Sequence, residues 1–132
     1  MVFEELLTFE SLLYLDRWTS FPMTSPRQGH VCNLLPGSSN EILVVGGDSL
    51  ESDIFNVDTL ERRVGPVLPE YLDHPVGLVV DGMFLLIGGS DSGLIYELSS
   101  DWLNWNVMDV QLTNGRMKHT AVMVDETVAN CY

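Results

Sequence analysis

Residues 83 to 89 read Met83-Phe84-Leu85-Leu86-Ile87-Gly88-Gly89, an apolar run closed by a glycine doublet. Residues 41 to 47 repeat the pattern as Glu41-Ile42-Leu43-Val44-Val45-Gly46-Gly47. A continuous apolar run of four or five residues bounded by glycines fits a strand buried on both faces and is too short for a helix. The doublets stand 42 residues apart, and His30, His74 and His119 follow one another at spacings of 44 and 45. Self-similarity at this period marks a repeat architecture in which each unit is one sheet that cannot bury its faces alone.

Working outward from the doublets, each repeat reads as four strands. Val31 to Leu35 and Pro75 to Val80 follow a histidine. The turns Pro36-Gly37-Ser38-Ser39-Asn40 and Asp81-Gly82 lead into the two apolar runs. Asp-Gly between apolar segments is a strong hairpin signal, since both turn positions need positive φ. After each doublet comes a polar loop, then a third strand near 53 to 57 or 94 to 98. A fourth strand lies near Arg62-Arg63-Val64 or Trp105-Asn106-Val107. The link Gly65-Pro66-Val67-Leu68-Pro69 suits a connection, because proline lacks the N–H that a central strand needs. The spacing predicts an all-β chain of four-stranded antiparallel sheets. Residues 4 to 15 admit two readings: a helix on the partial stripe Leu6, Leu7, Leu12 and Leu13, or a blade's third strand. Phe9-Glu10 stands nine residues before Trp18, as Tyr96-Glu97 stands nine before Trp105.

These landmarks resemble the kelch repeat, whose pattern runs from an Arg and His through an apolar strand and Gly-Gly to a Tyr-bearing strand and then a Trp. The matches are Arg27, His30, Gly46-Gly47 and Phe55, with Arg62 at the Trp place; then His74, Gly88-Gly89, Tyr96 and Trp105; then Arg116 and His119. The resemblance covers essentially the whole chain and departs at Arg62, at Phe55 and in lacking an Arg before His74. It implies kelch-like β-propeller blades in an incomplete ring. Blades are expected at 27 to 68 and 74 to 110, with half blades at 1 to 22 and 116 to 132. A third doublet is due at about 133 to 135, so closed propellers of roughly four to eight blades exceed what these residues supply. The expectation is an open arc with exposed blade edges, prone to self-association.

Composition narrows the partners. The 132 residues carry 19 acids against 6 bases, a net charge of −13, and the acids are scattered as on a solubilising surface. Such a chain repels phosphate backbones and anionic headgroups, which speaks against nucleic acid and membrane surfaces. No apolar run approaches the roughly 20 residues of a membrane span. The acidic start, Met1-Val2-Phe3-Glu4-Glu5, is unlike a signal peptide, so localisation is expected to be cytoplasmic by default. Cys32 and Cys131, 99 positions apart, read as two small buried thiols instead of a disulfide framework.

The chemistry-bearing residues read mostly as architecture. Evenly spaced histidines in successive blades do not converge on one point, as a zinc site requires. His30, His74 and His119 are therefore expected to be structural, each with a ring nitrogen bonded to backbone, and no metal or other cofactor is expected. The doublets lack the Lys and following helix of a phosphate loop, and acids follow them instead. Their expected role is close backbone packing. Trp18, Phe55, Tyr96 and Trp105 are expected between blades. No nucleophile with a nearby base is recognisable, so no catalytic residue is assigned. Kelch-like propellers include a copper oxidase that uses Tyr, His and Cys, but nothing here patterns those residues for that site.

The residues left for contact are those of the loops after the doublets, Asp48, Ser49, Glu51, Ser90, Asp91 and Ser92, together with Trp102, which falls out of register with the repeat and is expected to be exposed. The resemblance implies a non-catalytic protein–protein interaction module, as in substrate-binding halves of ubiquitin-ligase adaptors or cytoskeletal binders. The alternative it implies is a piece of an enzyme-type or carbohydrate-binding propeller.

Overall fold

The computed structural model describes residues 6–13 and 17–124, with side chains from Pro22 onward. The described chain contains ten strands and no helix: β1 (Leu6–Leu13), β2 (Arg17–Arg27), β3 (His30–Leu34), β4 (Glu41–Gly46), β5 (Asp53–Asn56), β6 (Arg62–Val64), β7 (Val76–Val80), β8 (Met83–Ile87), β9 (Ile95–Leu98) and β10 (Trp105–Val107). They form a two-stranded sheet, β1-β2, and two four-stranded antiparallel meanders, β3-β4-β5-β6 and β7-β8-β9-β10. The fold is all-β and blade-like, and the described sheets do not close a ring. The apolar runs before the doublets are the second strands of the two meanders; β4 is buried on both faces as expected, whereas β8 buries Phe84 and Leu86 on one face and leaves Met83, Leu85 and Ile87 half-buried on the other. The segment with two readings is resolved for residues 6–13 as a strand; 1–5 and 14–16 lie outside the described residues.

Turn chemistry sets the registers. Asp81 and Gly82 have φ of 48° and 75° and close a two-residue loop between the paired Val80 and Met83. That is the double positive-φ geometry whose twist matches the flanking strands. The longer turn of the first meander is held by the Ser38 hydroxyl, which accepts from the Glu41 N–H at 3.0 Å.

The main core lies between the two meanders. Leu43, Val45 and Ile54 of the first face Phe84, Leu86, Tyr96 and Leu98 of the second, joined by Leu68 and Leu72 from the link. Each such aliphatic side chain contributes roughly 1.5–3 kcal/mol through apolar area removed from water. The meanders approach closely where β7 crosses β3. A Cβ on Gly77 would lie 2.2 Å from Val31 Cγ1, so only glycine permits that contact. On the other face of the first meander, Met23 of β2 covers Val44 and Phe55, with Ile42 beside them. The corresponding outer face of the second meander, which carries Val76, Leu78, Val80, Met83, Leu85, Ile87 and Ile95, is only half-buried.

Backbone hydrogen bonds tie each meander to the chain segment after it, twice in the same way. Gly47 N–H donates to Leu72 O and Gly89 N–H to Arg116 O, both at 2.8 Å. His74 N–H donates to Gly29 O at 2.9 Å, and Lys118 N–H to His74 O at 3.2 Å. Gly29, His74 and Lys118 all have positive φ, of 66°, 53° and 54°. These matches correct the histidine register. His74 stands at the place of Gly29 and Lys118, whereas Pro75 stands at the place of His30 and His119. The near-equal histidine spacing concealed a shift of one residue.

The register also corrects the third-strand match. Asp53 pairs with Val64 and Phe55 with Arg62, while Tyr96 pairs with Val107 and Leu98 with Trp105. Arg62 therefore does hold the Trp105 place. Phe55, however, holds the place of Leu98, and Asp53 holds that of Tyr96. Residues 108–124 form no strand, and 125–132 lie outside the described residues. Cys32 is exposed, not a buried thiol; it lies in the middle of β3, an edge strand of its sheet, and Cys131 is not described.

Candidate functional site

The loops after the doublets open at the same end of both meanders, because each connects a second strand to a third. Within them the serines hold the loops together. Ser49 is buried; its Oγ lies 2.9 Å from Ser25 Oγ and accepts from the Glu51 N–H at 3.2 Å. Ser90 Oγ accepts from the Asp73 N–H at 2.8 Å and donates to Tyr71 O at 3.1 Å, which fastens the loop to the link before the second meander. Ser92 Oγ accepts from the Leu94 N–H at 3.1 Å. Ser90 and Asp91 both have positive φ, a short kinked path fixed by these bonds.

Besides the exposed Ser90, the loops present carboxylates to solvent at this end. Asp48, Glu51 and Asp91 are exposed, and Asp48 accepts from the Gln28 N–H at 3.0 Å. Around them stand the half-buried Asp73 and the Asp73–His74 pair, with His74 Nδ1 2.7 Å from Asp73 Oδ1.

Trp102 belongs to the opposite end, in the turn between β9 and β10. It is half-buried instead of exposed: its ring packs on the core, and the Arg63 guanidinium carbon lies 6.0 Å from the ring centroid. With Pro36, Gly37, Gly82, Leu98, Ser99 and Ser100 it lines a cavity of about 260 Å³. The structure thus gathers the six loop residues at one end and separates them from Trp102.

The histidines share no site. The His30 Nδ1 and both ring nitrogens of His119 are buried without a hydrogen-bond partner, and His74 bonds Asp73. The expected ring-to-backbone bonds are therefore not what holds these rings. His119 instead packs on Gly88, where a Cβ would come within 2.8 Å of its Cε1. Burial, and secondarily the charge of Arg27, lower the His30 pKa, with Asp48 opposing them. Among the described residues no group of three His, Cys, Asp or Glu side chains is gathered to hold a metal. The glycine doublets do make the close backbone approach expected of them. A Cβ on Gly47 would lie 2.1 Å from Gln28 O, and one on Gly89 3.1 Å from Pro75 Cβ.

The most concentrated polar cluster was not foreseen from sequence. Arg27 and Asp53 are fully buried and paired at 3.0 Å, and Arg62 Nη1 reaches the other Asp53 oxygen, also at 3.0 Å. Arg27 Nη1 also donates to Glu51 O at 2.7 Å, and the Thr24 N–H and hydroxyl both donate to Asp53. Burial lowers the Arg27 pKa, while Asp53, Glu51 and Asp48 oppose the shift. In the second meander the same places hold Leu72, Tyr96 and Trp105. There the Tyr96 hydroxyl donates to Glu70 at 2.5 Å, the Trp105 ring meets Phe84 edge-on at 6.0 Å, and the Trp105 indole N–H donates to Pro66 O at 3.4 Å. The available signal was the interval: Asp53 precedes Arg62 by nine residues, as Tyr96 precedes Trp105. This cluster cements β2 onto the first meander, and its charges are spent on one another.

No protein-family model matches the chain, and none of the curated proteins is significantly similar to it. Among the described residues no helix is long and apolar enough to cross a membrane.

Proposed function

We propose that these residues are an arc of kelch-like propeller blades acting as a non-catalytic protein-binding module, with the loop end of the meanders as its contact surface. The supporting observation is the division of labour in the loops. Ser49, Ser90 and Ser92 are spent on holding the backbone, while Asp48, Glu51 and Asp91 face solvent from that rigid frame. Exposed acids on loops braced by a sheet scaffold suit recognition of a basic protein surface. Affinity capture with the intact chain, followed by mass spectrometry, tests the reading against an Asp48→Asn, Glu51→Gln, Asp91→Asn triple variant. The expected result is a basic partner, released by added salt and not captured by the variant. Identical capture by both proteins, or capture of none, overturns it.

A further inference from the structure

The cavity beside Trp102 lies at the end of the meanders away from the acidic loops. Three turns meet there, one through Pro36 and Gly37, one through Gly82, and one through Ser99 to Trp102. Trp102 has φ of 62°, a left-handed backbone that is costly for a bulky L-residue and persists only where the surroundings over-determine it. Here they do. The Trp102 N–H donates to Ser99 O at 2.9 Å, and the Ser99 hydroxyl accepts from the Leu103 and Asn104 N–H groups at 3.2 and 2.9 Å. The turn thus fixes the indole in advance of any ligand. The two glycines leave the mouth open, since a Cβ at Gly37 or Gly82 would meet nothing within 4 Å.

The ring already carries one cation of the chain's own. The Arg63 guanidinium carbon lies 6.0 Å from its centroid, and Glu41 holds that guanidinium at 3.1 Å. Arg63 does not line the cavity, and none of the described residues that do is basic. Two exposed carboxylates border it in the chain, Asp81 beside Gly82 and Asp101 beside Trp102. The Ser99 hydroxyl donates to Asp101, and that bond, then the Leu103 N–H, lowers the Asp101 pKa and keeps the carboxylate ionised.

We propose that this cavity is a second binding site, which takes a methylated ammonium group against the Trp102 ring. A cation over an aromatic face is attracted by the ring quadrupole, most strongly over Trp. The apolar lining from Pro36 and Leu98 suits methyl groups and penalises a strongly hydrated ion such as sodium. At about 260 Å³ the cavity falls below the roughly 300–1,000 Å³ of pockets for drug-sized ligands, so it admits a head group or one side chain. The site stands apart from Asp48, Glu51 and Asp91 and does not depend on the function proposed for them.

Choline tests this against neohexyl alcohol, its uncharged isostere with carbon in place of the ammonium nitrogen. Both are titrated into the intact chain at constant ionic strength, with the Gly37 and Gly82 amide and Trp102 indole N–H signals followed by NMR. Choline is expected to shift these signals saturably and to bind at least about fivefold more tightly than the alcohol. Asp81→Asn with Asp101→Asn removes both charges and keeps the turns, because Asn tolerates positive φ and retains the oxygen that accepts from Ser99 and Leu103. This variant is expected to weaken choline about threefold and to leave the alcohol unchanged. Trp102→Leu is expected to abolish the glycine shifts; if it loses its β spectrum, the aspartate variant decides alone. A trimethyllysine peptide in a parallel titration separates the two sources of the group. Binding as tight as choline assigns a protein side chain, binding of choline alone assigns a free small molecule, and either supports the site. Equal binding of choline and the alcohol, no shift with choline at any concentration, or choline binding that the aspartate variant leaves unchanged overturns the proposal.

Discussion

Asp53 occupies in the first meander the place that Tyr96 holds in the second, and each is matched by its surroundings. Asp53 faces Arg27 and Arg62; Tyr96 shares the apolar core with the Leu72 and Trp105 that stand in their places. One scaffold position is thus solved once with charge and once with aromatic area. The charged solution has a high cost of failure, because a buried ion left alone keeps its desolvation penalty without its partner.

Asp53→Ala is therefore expected to destabilise the chain by about 3–5 kcal/mol, the cost of orphaning a buried charge. Replacing the whole set, Arg27→Leu with Asp53→Tyr and Arg62→Trp, is expected to recover most of that loss by copying the second meander. Denaturant unfolding of both variants measures it. A triple variant as unstable as Asp53→Ala would show that the two places are not interchangeable.

The glycine doublet makes a contact that a turn glycine does not. Gly47 and Gly82 share a left-handed backbone, φ 80° and 75°, but a Cβ at Gly47 strikes Gln28 O while one at Gly82 meets nothing within 4 Å. Gly82→Ala is expected to cost about 1–2 kcal/mol from backbone strain alone. Gly47→Ala adds a main-chain collision and is expected to cost clearly more. Equal melting temperatures for the two variants would refute the close packing of the first meander against Gln28.

Tyr96 gives the chain an alkaline limit. Burial first, then the hydrogen bond and charge of Glu70, raise its pKa above the ordinary value of 10.0. The folded state favours the neutral phenol, so this contribution is present below pH 10 and is lost as pH rises from there toward the folded pKa. Tyr96→Phe is expected to lower stability by about 1 kcal/mol near neutrality and to flatten the decline above pH 10. Urea midpoints against pH for both proteins check it.

His30 sets a corresponding acid term. Its lowered pKa means that the folded chain holds the ring neutral. That stabilisation is present above about 6.5, the unperturbed value, and is lost as pH falls through the folded pKa. NMR titration is expected to show His30 charging below the unperturbed value of about 6.5. A His30 ring that charges at or above that value would contradict its buried setting.

Strand positions were legible in the chain because they depend on local chemistry. The apolar runs before Gly46-Gly47 and Gly88-Gly89 and the Asp81-Gly82 turn specify β4, β8 and the second hairpin with little help from elsewhere. The doublets' close packing was legible for the same reason. Register between repeats was not. His74 looked equivalent to His30, and Phe55 to Tyr96, because residue type and spacing cannot reveal a loop one residue longer, whereas interstrand hydrogen bonds do. Trp102 looked exposed because its packing against Arg63 and the core joins residues from different sheets.

Composition, periodicity and turn residues by themselves determined that this protein is an acidic all-β repeat of four-stranded units. Tertiary structure alone decided that Asp53 is buried between two arginines, that the loop serines brace backbone while the loop acids face solvent, and that one sheet face remains half-covered. The physical reason is range. Propensity and patterning act over a few residues, whereas burial of a charge and covering of a face depend on groups brought together from 20 or more positions away, as Arg27 and Asp53 are.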